Sequence, residues 1–206
     1  MNGANLALCF AAAFLLGSIP WGYLLLRWFK GIDVRRHGSG NIGFTNVLRT
    51  AGKPLGALTL LLDAAKGYLA VAVVAPALAG AGTDYFAITA FLGAVAGHVF
   101  TPFLGFRGGK GIATGAGGLL ALSPAACGVC LGLWLVVVAV SRYVSLASVV
   151  AAAALPPAVY YFERRTPLIV LSLFAVALVI VRHAGNLRRL ARGEECRWGE
   201  KAGASG

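Results

Sequence analysis

The segment GIATGAGGLLAL, residues 111–122, decides how the chain is threaded. It is apolar and uncharged, yet much shorter than the roughly 20 residues a helix needs to cross a bilayer. Around it stand six longer apolar runs, residues 6–28, 55–78, 85–104, 125–140, 146–162 and 167–181. Of the 206 residues, 59% are apolar and 12% charged, against about 25% charged in an ordinary soluble domain. A soluble domain of this length could not hide so much apolar surface. The expected fold is therefore all-α, a polytopic integral membrane protein. If residues 111–122 cross, there are seven transmembrane helices, one of them short. Brief, Gly- or Pro-interrupted spans of this kind lie where backbone is buried in protein or lines a cavity.

Charge chooses between six and seven spans. The net charge is +11, from 18 Lys and Arg against 7 Asp and Glu. With seven spans, Arg27, Lys30, Arg35, Arg36, Arg49, Lys53, Arg107, Lys110, Arg142, Arg182, Arg188, Arg189, Arg192, Arg197 and Lys201 share one side. Arg164 and Arg165 fall on the other, and Lys66 lies inside the second span. The positive-inside bias makes the crowded side cytoplasmic. With six spans, Arg142 and the basic tail would oppose Arg35 and Lys53. The expectation is a multi-pass protein of a bacterial cytoplasmic (inner) membrane, with the N-terminus outside and the C-terminus inside. Residues 1–206 form a single domain, with cytoplasmic loops near 33–50 and 105–114 and a cytoplasmic tail, 182–206. The first run lacks the positive leader of a signal peptide and reads as a retained span. Spans also exclude a soluble nucleic-acid binder. Cys127 and Cys130 form a C-x-x-C inside an apolar run, with no second pair and no nearby His, so no metal is expected.

Three polar clusters fall on the cytoplasmic side. In the first, Gly38, Gly40 and Gly43 let the backbone curl around Ser39, and Asn41, Thr45, Asn46 and Arg49 fit one face of a helix starting near Asn41. A helix N-terminus with converging N–H groups is an anion site in outline. An ordinary glycine loop capped by Ser or Asn would read the same way. In the second, Gly108, Gly109 and Gly111 surround Lys110, and Thr114 follows; exposed N–H groups and a lysine again suit phosphate. The P-loop pattern fails here, because position 104 is Leu and position 111 is Gly. In the third, His183, Asn186 and Arg189 follow one another at helical spacing, ahead of Glu195. A His there could take a proton or face a developing oxyanion. Arg188, Arg189 and Arg192 read as membrane-surface charge. Asp63 and Lys66, i and i+3 inside a span, could simply neutralise one another. His98 could help shape the second cluster, and the Ser145 and Ser148 hydroxyls could reach the same cavity. Together the clusters suggest one cytoplasmic site for phosphorylated ligands, at least one carrying an acyl chain. An anion or phosphate-compound transporter is the alternative, weakened by how little polarity crosses the middle of the membrane.

Three stretches carry a resemblance. They are Gly38-Ser39-Gly40-Asn41-x-Gly43-x-Thr45-Asn46-x-x-Arg49, then Gly108-Gly109-Lys110-Gly111-x-Ala113-Thr114, then His183-x-x-Asn186 with Gly193-x-Glu195. In this order they resemble the three motifs of the bacterial acyl-phosphate:glycerol-3-phosphate acyltransferases (PlsY). Gly17-Ser18-Ile19-Pro20 and Asp63-x-x-Lys66-Gly67 also match, so the likeness runs from about residue 17 to residue 195. Phe44 replaces the family's usual Ala, and Pro102 sits one place late. The resemblance implies transfer of an acyl group from acyl phosphate to the 1-hydroxyl of glycerol 3-phosphate. The products are lysophosphatidic acid and inorganic phosphate, with no cofactor and no acyl-enzyme. It implies that Ser39 and Arg49 contact phosphate or the acyl carbonyl, and that Gly108, Gly109, Lys110 and Gly111 hold glycerol 3-phosphate. His183 and Asn186 would line the reacting centre, with Glu195 bracing the third motif. Gly40, Asn41, Thr45, Asn46, Thr114 and Ser148 would bind substrate. Membrane lipid is the expected surrounding partner, and a monomer the expected state. The lack of G-x-S-x-G agrees. Ile42, Phe103 and Arg188 occupy the Asp position of an H-x4-D motif, which excludes the acyl-CoA class carrying it.

Overall fold

A computed structural model describes residues 3–79 and 84–200; Lys201 lies outside the described residues. The chain packs as two compact units, residues 1–122 and residues 123–206. Among the described residues there is no strand.

In the first unit, α1 (Gly3–Ser18) stops at Ile19-Pro20 and α2 (Trp21–Lys30) restarts the same apolar stretch. Proline supplies no N–H and crowds the preceding turn, so the helix breaks there. Gly31, at φ 68°, ends α2. A loop holding a 3-10 turn, Val34–Arg36, leads to α3 (Phe44–Ala51). Next come α4 (Lys53–Leu69), a wide π-type turn at Ala70–Val74, and α5 (Ala75–Ala79). Then α6 (Asp84–Val99), a 3-10 turn at Pro102–Leu104, and α7 (Ile112–Leu122) complete it.

Helix α1 lies along α6, and α4 along α7. At the second crossing a Cβ on Gly67 would fall 1.9 Å from the Thr114 carbonyl oxygen, and one on Gly117 1.9 Å from that of Ala64. The two backbones touch directly, as small residues permit in membranes, and this contact anchors a helix of only 11 residues. One core cluster joins Cys9 and Ala13 to Ala70, Ala75, Phe86, Ala90 and Ala94. A second, made of Leu26, Val34, Ile42, Val47 and Leu104, underlies the first polar loop.

The second unit has α8 (Pro124–Ser141), α9 (Val144–Phe162) and α10 (Thr166–Ala191), with α9 packed against both neighbours. Pro156 and Pro157 lie inside α9. The apolar run ends near residue 181, but α10 continues to Ala191 and carries the third cluster on its last turns.

Among the described residues, six stretches are long and apolar enough to cross a membrane: Gly3–Lys30, Lys53–Ala79, Asp84–Leu104, Pro124–Ser141, Val144–Phe162 and Thr166–Ala191. Each contains one of the six long runs of the sequence, and α7 is the shorter apolar helix between the third and fourth. Large apolar side chains such as Leu61, Val140, Tyr161 and Val181 stand on outer faces. In water this would be an aggregation liability; in lipid it is the expected surface. The protein is thus all-helical and multi-spanning.

Candidate functional site

The first polar cluster is built around one buried amide. Asn46 is 1% exposed. Its Oδ1 accepts the Ser39 N–H at 2.9 Å, and its Nδ2 donates towards the carbonyls of Val34 (3.2 Å), His37 (3.0 Å) and Asn41 (2.8 Å). Asn41 Oδ1 in turn accepts the Gly43 N–H at 2.8 Å. Gly38 and Gly40 take φ of 56° and 70°, which glycine adopts without strain. The result is a tight loop with Ser39 exposed at its tip. Helix α3 starts at Phe44, so Asn41 precedes it and Asn46 points into the loop. Only Thr45 and Arg49, both half-buried, keep the shared outer face expected for four residues. Nearby, Asp33 accepts from the Arg35 N–H and guanidinium. That bonding holds its carboxyl down at about 2 and pushes Arg35 up. The guanidinium also stacks 5.1 Å from the Tyr23 ring centre.

The second cluster departs from expectation. The Gly108 N–H donates to the Val99 carbonyl and the Gly109 N–H to that of His98, both at 3.0 Å. These groups close the end of α6 and are not exposed donors. Thr101 ties the loop's start to the Ser18 carbonyl at 2.7 Å. Gly111, at φ 82°, turns the chain into α7. Lys110 is half-buried just before the N-terminus of α7, where a helix leaves its first N–H groups unsatisfied by its own backbone. Thr114 is fully buried, and its main chain packs against Gly67 of α4.

In the second unit the centre is Glu195. Its Oε1 accepts from Ser145 Oγ at 2.8 Å and Asn186 Nδ2 at 2.6 Å, and its Oε2 from Arg189 Nε at 2.9 Å. Burial would raise its carboxyl, but the three donors outweigh burial and lower it. Arg189, itself exposed, is therefore also a partner of Glu195; its i, i+3 spacing from Asn186 was the available signal. Buried His183 donates Nδ1–H to the Val179 carbonyl at 2.9 Å, so in the neutral ring it is Nε2 that carries the lone pair. Buried Ser148 accepts from Trp134 Nε1 at 3.2 Å and donates to the Val144 carbonyl at 2.9 Å. The tail is clasped to the α8–α9 turn. The Trp198 N–H donates to the Arg142 carbonyl, and Arg142 Nη2 donates to the Trp198 carbonyl.

Within the first unit the structure also joins Asp63 and Lys66 of α4 to His98 of α6, all three buried. Among the described residues no group of three or more His, Cys, Asp or Glu side chains is arranged to hold a metal ion.

Comparison with known proteins covers nearly the whole chain. A profile of the family described as glycerol-3-phosphate acyltransferase matches residues 7–193. A glycerol-3-phosphate acyltransferase 2 of Moorella thermoacetica is 47% identical over 95% of this chain and 98% of its own length. A glycerol-3-phosphate acyltransferase of Geobacter sulfurreducens is 47% identical over 91% and 95%. The crystal structure of PlsY (YgiH), an integral membrane glycerol 3-phosphate acyltransferase, in its glycerol 3-phosphate form, superposes with a TM-score of 0.87. It shares 36% identity and covers 94% of this chain and 96% of that one. The lysophosphatidic acid form of the same enzyme gives a TM-score of 0.84 at 36% identity, covering 96% of each chain.

Proposed function

Because this chain belongs to the glycerol-3-phosphate acyltransferase family, we propose that it acylates the 1-hydroxyl of glycerol 3-phosphate from an acyl phosphate, releasing lysophosphatidic acid and inorganic phosphate. The observation that carries this reading is the likeness over almost the full length to an enzyme captured in glycerol 3-phosphate and lysophosphatidic acid forms. The family profile, residues 7–193, takes in the first two motifs and His183, Asn186 and Gly193 of the third.

The chemistry asked of the protein is modest. Acyl phosphate is an activated mixed anhydride, so the substrate hydroxyl oxygen can attack the carbonyl carbon directly. The new C–O ester bond forms, the bond from carbonyl carbon to phosphate oxygen breaks, and phosphate leaves with the electron pair. The hydroxyl proton passes to His183 Nε2 or to the departing phosphate. Positioning and charge stabilisation then supply most of the rate. To the first unit fall the phosphate and carbonyl contacts of Ser39 and Arg49, with further substrate contacts from Gly40 and Asn41 in the loop and Thr45 on α3. There too fall the glycerol 3-phosphate contacts of Lys110, the Gly108–Gly111 turn and the start of α7. Asn46 serves from within, as the strut of the Ser39 loop, and Thr114 on α7 is a further substrate-binding candidate. To the second unit fall His183 and Asn186, braced by Glu195, with Ser148 beside them.

The same proposal gives the orientation: α7 counts as a short seventh crossing, the N-terminus is outside, and the three motifs meet the cytoplasm of a bacterial inner membrane. A monomer in lipid needs no further partner for this reaction. The test is an assay of the purified protein with acyl phosphate, acyl-CoA and acyl-carrier-protein donors in parallel. Activity with acyl phosphate alone is expected; activity only with acyl-CoA would refute the donor assignment.

A further inference from the structure

Three ionisable side chains lie buried in the first unit outside all three motifs. Asp63, Lys66 and His98 are 2%, 2% and 4% exposed. Lys66 Nζ lies 2.8 Å from Asp63 Oδ1, 2.9 Å from the Ile19 carbonyl oxygen and 2.8 Å from His98 Nδ1. An ammonium has three protons and no lone pair. As an ammonium, Lys66 pairs with Asp63 as an ion pair and donates hydrogen bonds to the Ile19 carbonyl and to His98 Nδ1, which also lies 3.6 Å from Asp63 Oδ1, so the ring is fixed from that edge. Its other edge supports the second motif. A Cβ on residue 109 would fall 2.1 Å from His98 Nε2, and one on residue 108 would fall 2.0 Å from the His98 carbonyl oxygen. The N–H groups of Gly109 and Gly108 bond the carbonyls of His98 and Val99. The turn thus rests on the ring and main chain of His98, and His98 is held by Lys66.

Mutual neutralisation of two buried charges needs only Asp63 and Lys66, already i, i+3 on one helix. It does not need an imidazole from another helix, nor one placed directly under a glycine turn. We propose that Asp63, Lys66 and His98 are positioning residues, a buried strut that sets the height of the 105–111 turn and thereby aims Lys110 and the start of α7 at the phosphate of glycerol 3-phosphate. This rests on the function proposed above for Lys110.

The test uses two uncharged replacements in the full-length protein in detergent or nanodiscs. The double variant D63N/K66M removes the ion pair without leaving a lone buried charge. His98→Asn keeps a polar group near Nδ1 and removes the ring edge beneath Gly109. Two readouts are taken: steady-state kinetics for both substrates, and hydrogen exchange of the 105–111 amides. In each folded variant the KM for glycerol 3-phosphate is expected to rise about tenfold or more, with kcat and the KM for acyl phosphate within about threefold of wild type. Exchange at 105–111 is expected to quicken. Unchanged glycerol 3-phosphate KM and unchanged exchange overturn the proposal, as does an equal rise in both KM values. If D63N/K66M does not fold, His98→Asn decides by the same criteria. If the wild-type protein transfers no acyl group from any donor, the functional reading fails on its own. The exchange comparison then still decides the strut: faster exchange supports it and unchanged exchange refutes it.

Discussion

Replacing Asn46 by alanine removes the group around which the Ser39 loop is wound. The amide makes four contacts, one accepted from the Ser39 N–H and three directed at the carbonyls of Val34, His37 and Asn41. Its two Nδ2 protons serve three carbonyls, so three donor protons are at stake. At about 1 kcal/mol net for each buried hydrogen bond, the loss is about 3 kcal/mol. The loop surface is exposed, and water recovers part of this for the freed carbonyls, which leaves roughly 2–3 kcal/mol. The apolar cluster beneath the loop, Leu26, Val34, Ile42, Val47 and Leu104, is untouched. The cost therefore falls on the loop's ordered population and not on the fold. At about 1.4 kcal/mol per tenfold, kcat/KM for acyl transfer should drop roughly 100-fold while Tm in detergent shifts little. Asn46→Asp keeps the acceptor for Ser39 but sets a carboxylate against three carbonyl oxygens, and should be at least as impaired. An alanine variant within about threefold of wild-type kcat/KM, or an aspartate variant as active as wild type, would refute this account of the loop.

Gly117→Ala places a methyl group 1.9 Å from the Ala64 carbonyl oxygen, an overlap the α4–α7 crossing relieves only by separating. A loss of about 2 kcal/mol or more is expected, seen as a lower Tm and a lower yield of monodisperse protein, whereas Gly132→Ala, with open space around it, should match wild type. Glu195 is held below the ordinary glutamate range, so its stabilising contribution is complete above about pH 4.3 and is lost as pH falls from there through the lower folded value. Limited proteolysis should find the tail after Gly193 increasingly cleavable in acid, and Glu195→Gln cleavable at neutral pH with no further dependence on pH. His183→Gln tests the proton acceptor: if Nε2 takes the proton, turnover should fall about 100-fold or more and the pH–rate profile should flatten, while near-wild-type turnover would assign the proton to the leaving phosphate.

The six long spans were legible because each needs a long apolar run, and such runs have few other meanings. The exception, α10, passes the end of its apolar run because helical propensity continues through Arg182–Leu190 until Gly193. Local capacity was legible in the motifs, but not who uses it. An Asn serves equally as a ligand donor or a loop strut, and only the path of residues 34–41 around Asn46 decides between them. Gly108 and Gly109 signal a backbone that must come close to something. That the something includes His98 depends on the turn after α6. Arg188, Arg189 and Arg192 look alike in the sequence, and the tail's return to α10 selects Arg189 for Glu195. Asp63 and Lys66 reveal their pairing by spacing, whereas His98 joins them from 32 residues beyond Lys66 and becomes visible only on folding.

The break at Pro20 carries a genetic consequence. It leaves the Ile19 carbonyl outside α2, where it serves Lys66, a residue 47 positions later. A main-chain oxygen cannot be deleted by substitution, but it can be withdrawn. Pro20→Leu, by letting α1 run on into α2, would turn that oxygen, which already accepts the Trp21 N–H at 3.1 Å, along the helix axis and away from Lys66. The two sites are therefore epistatic. Lys66→Met should be far better tolerated beside Pro20→Leu and Asp63→Asn than alone, and a suppressor screen starting from Pro20→Leu should return changes at 63 and 66.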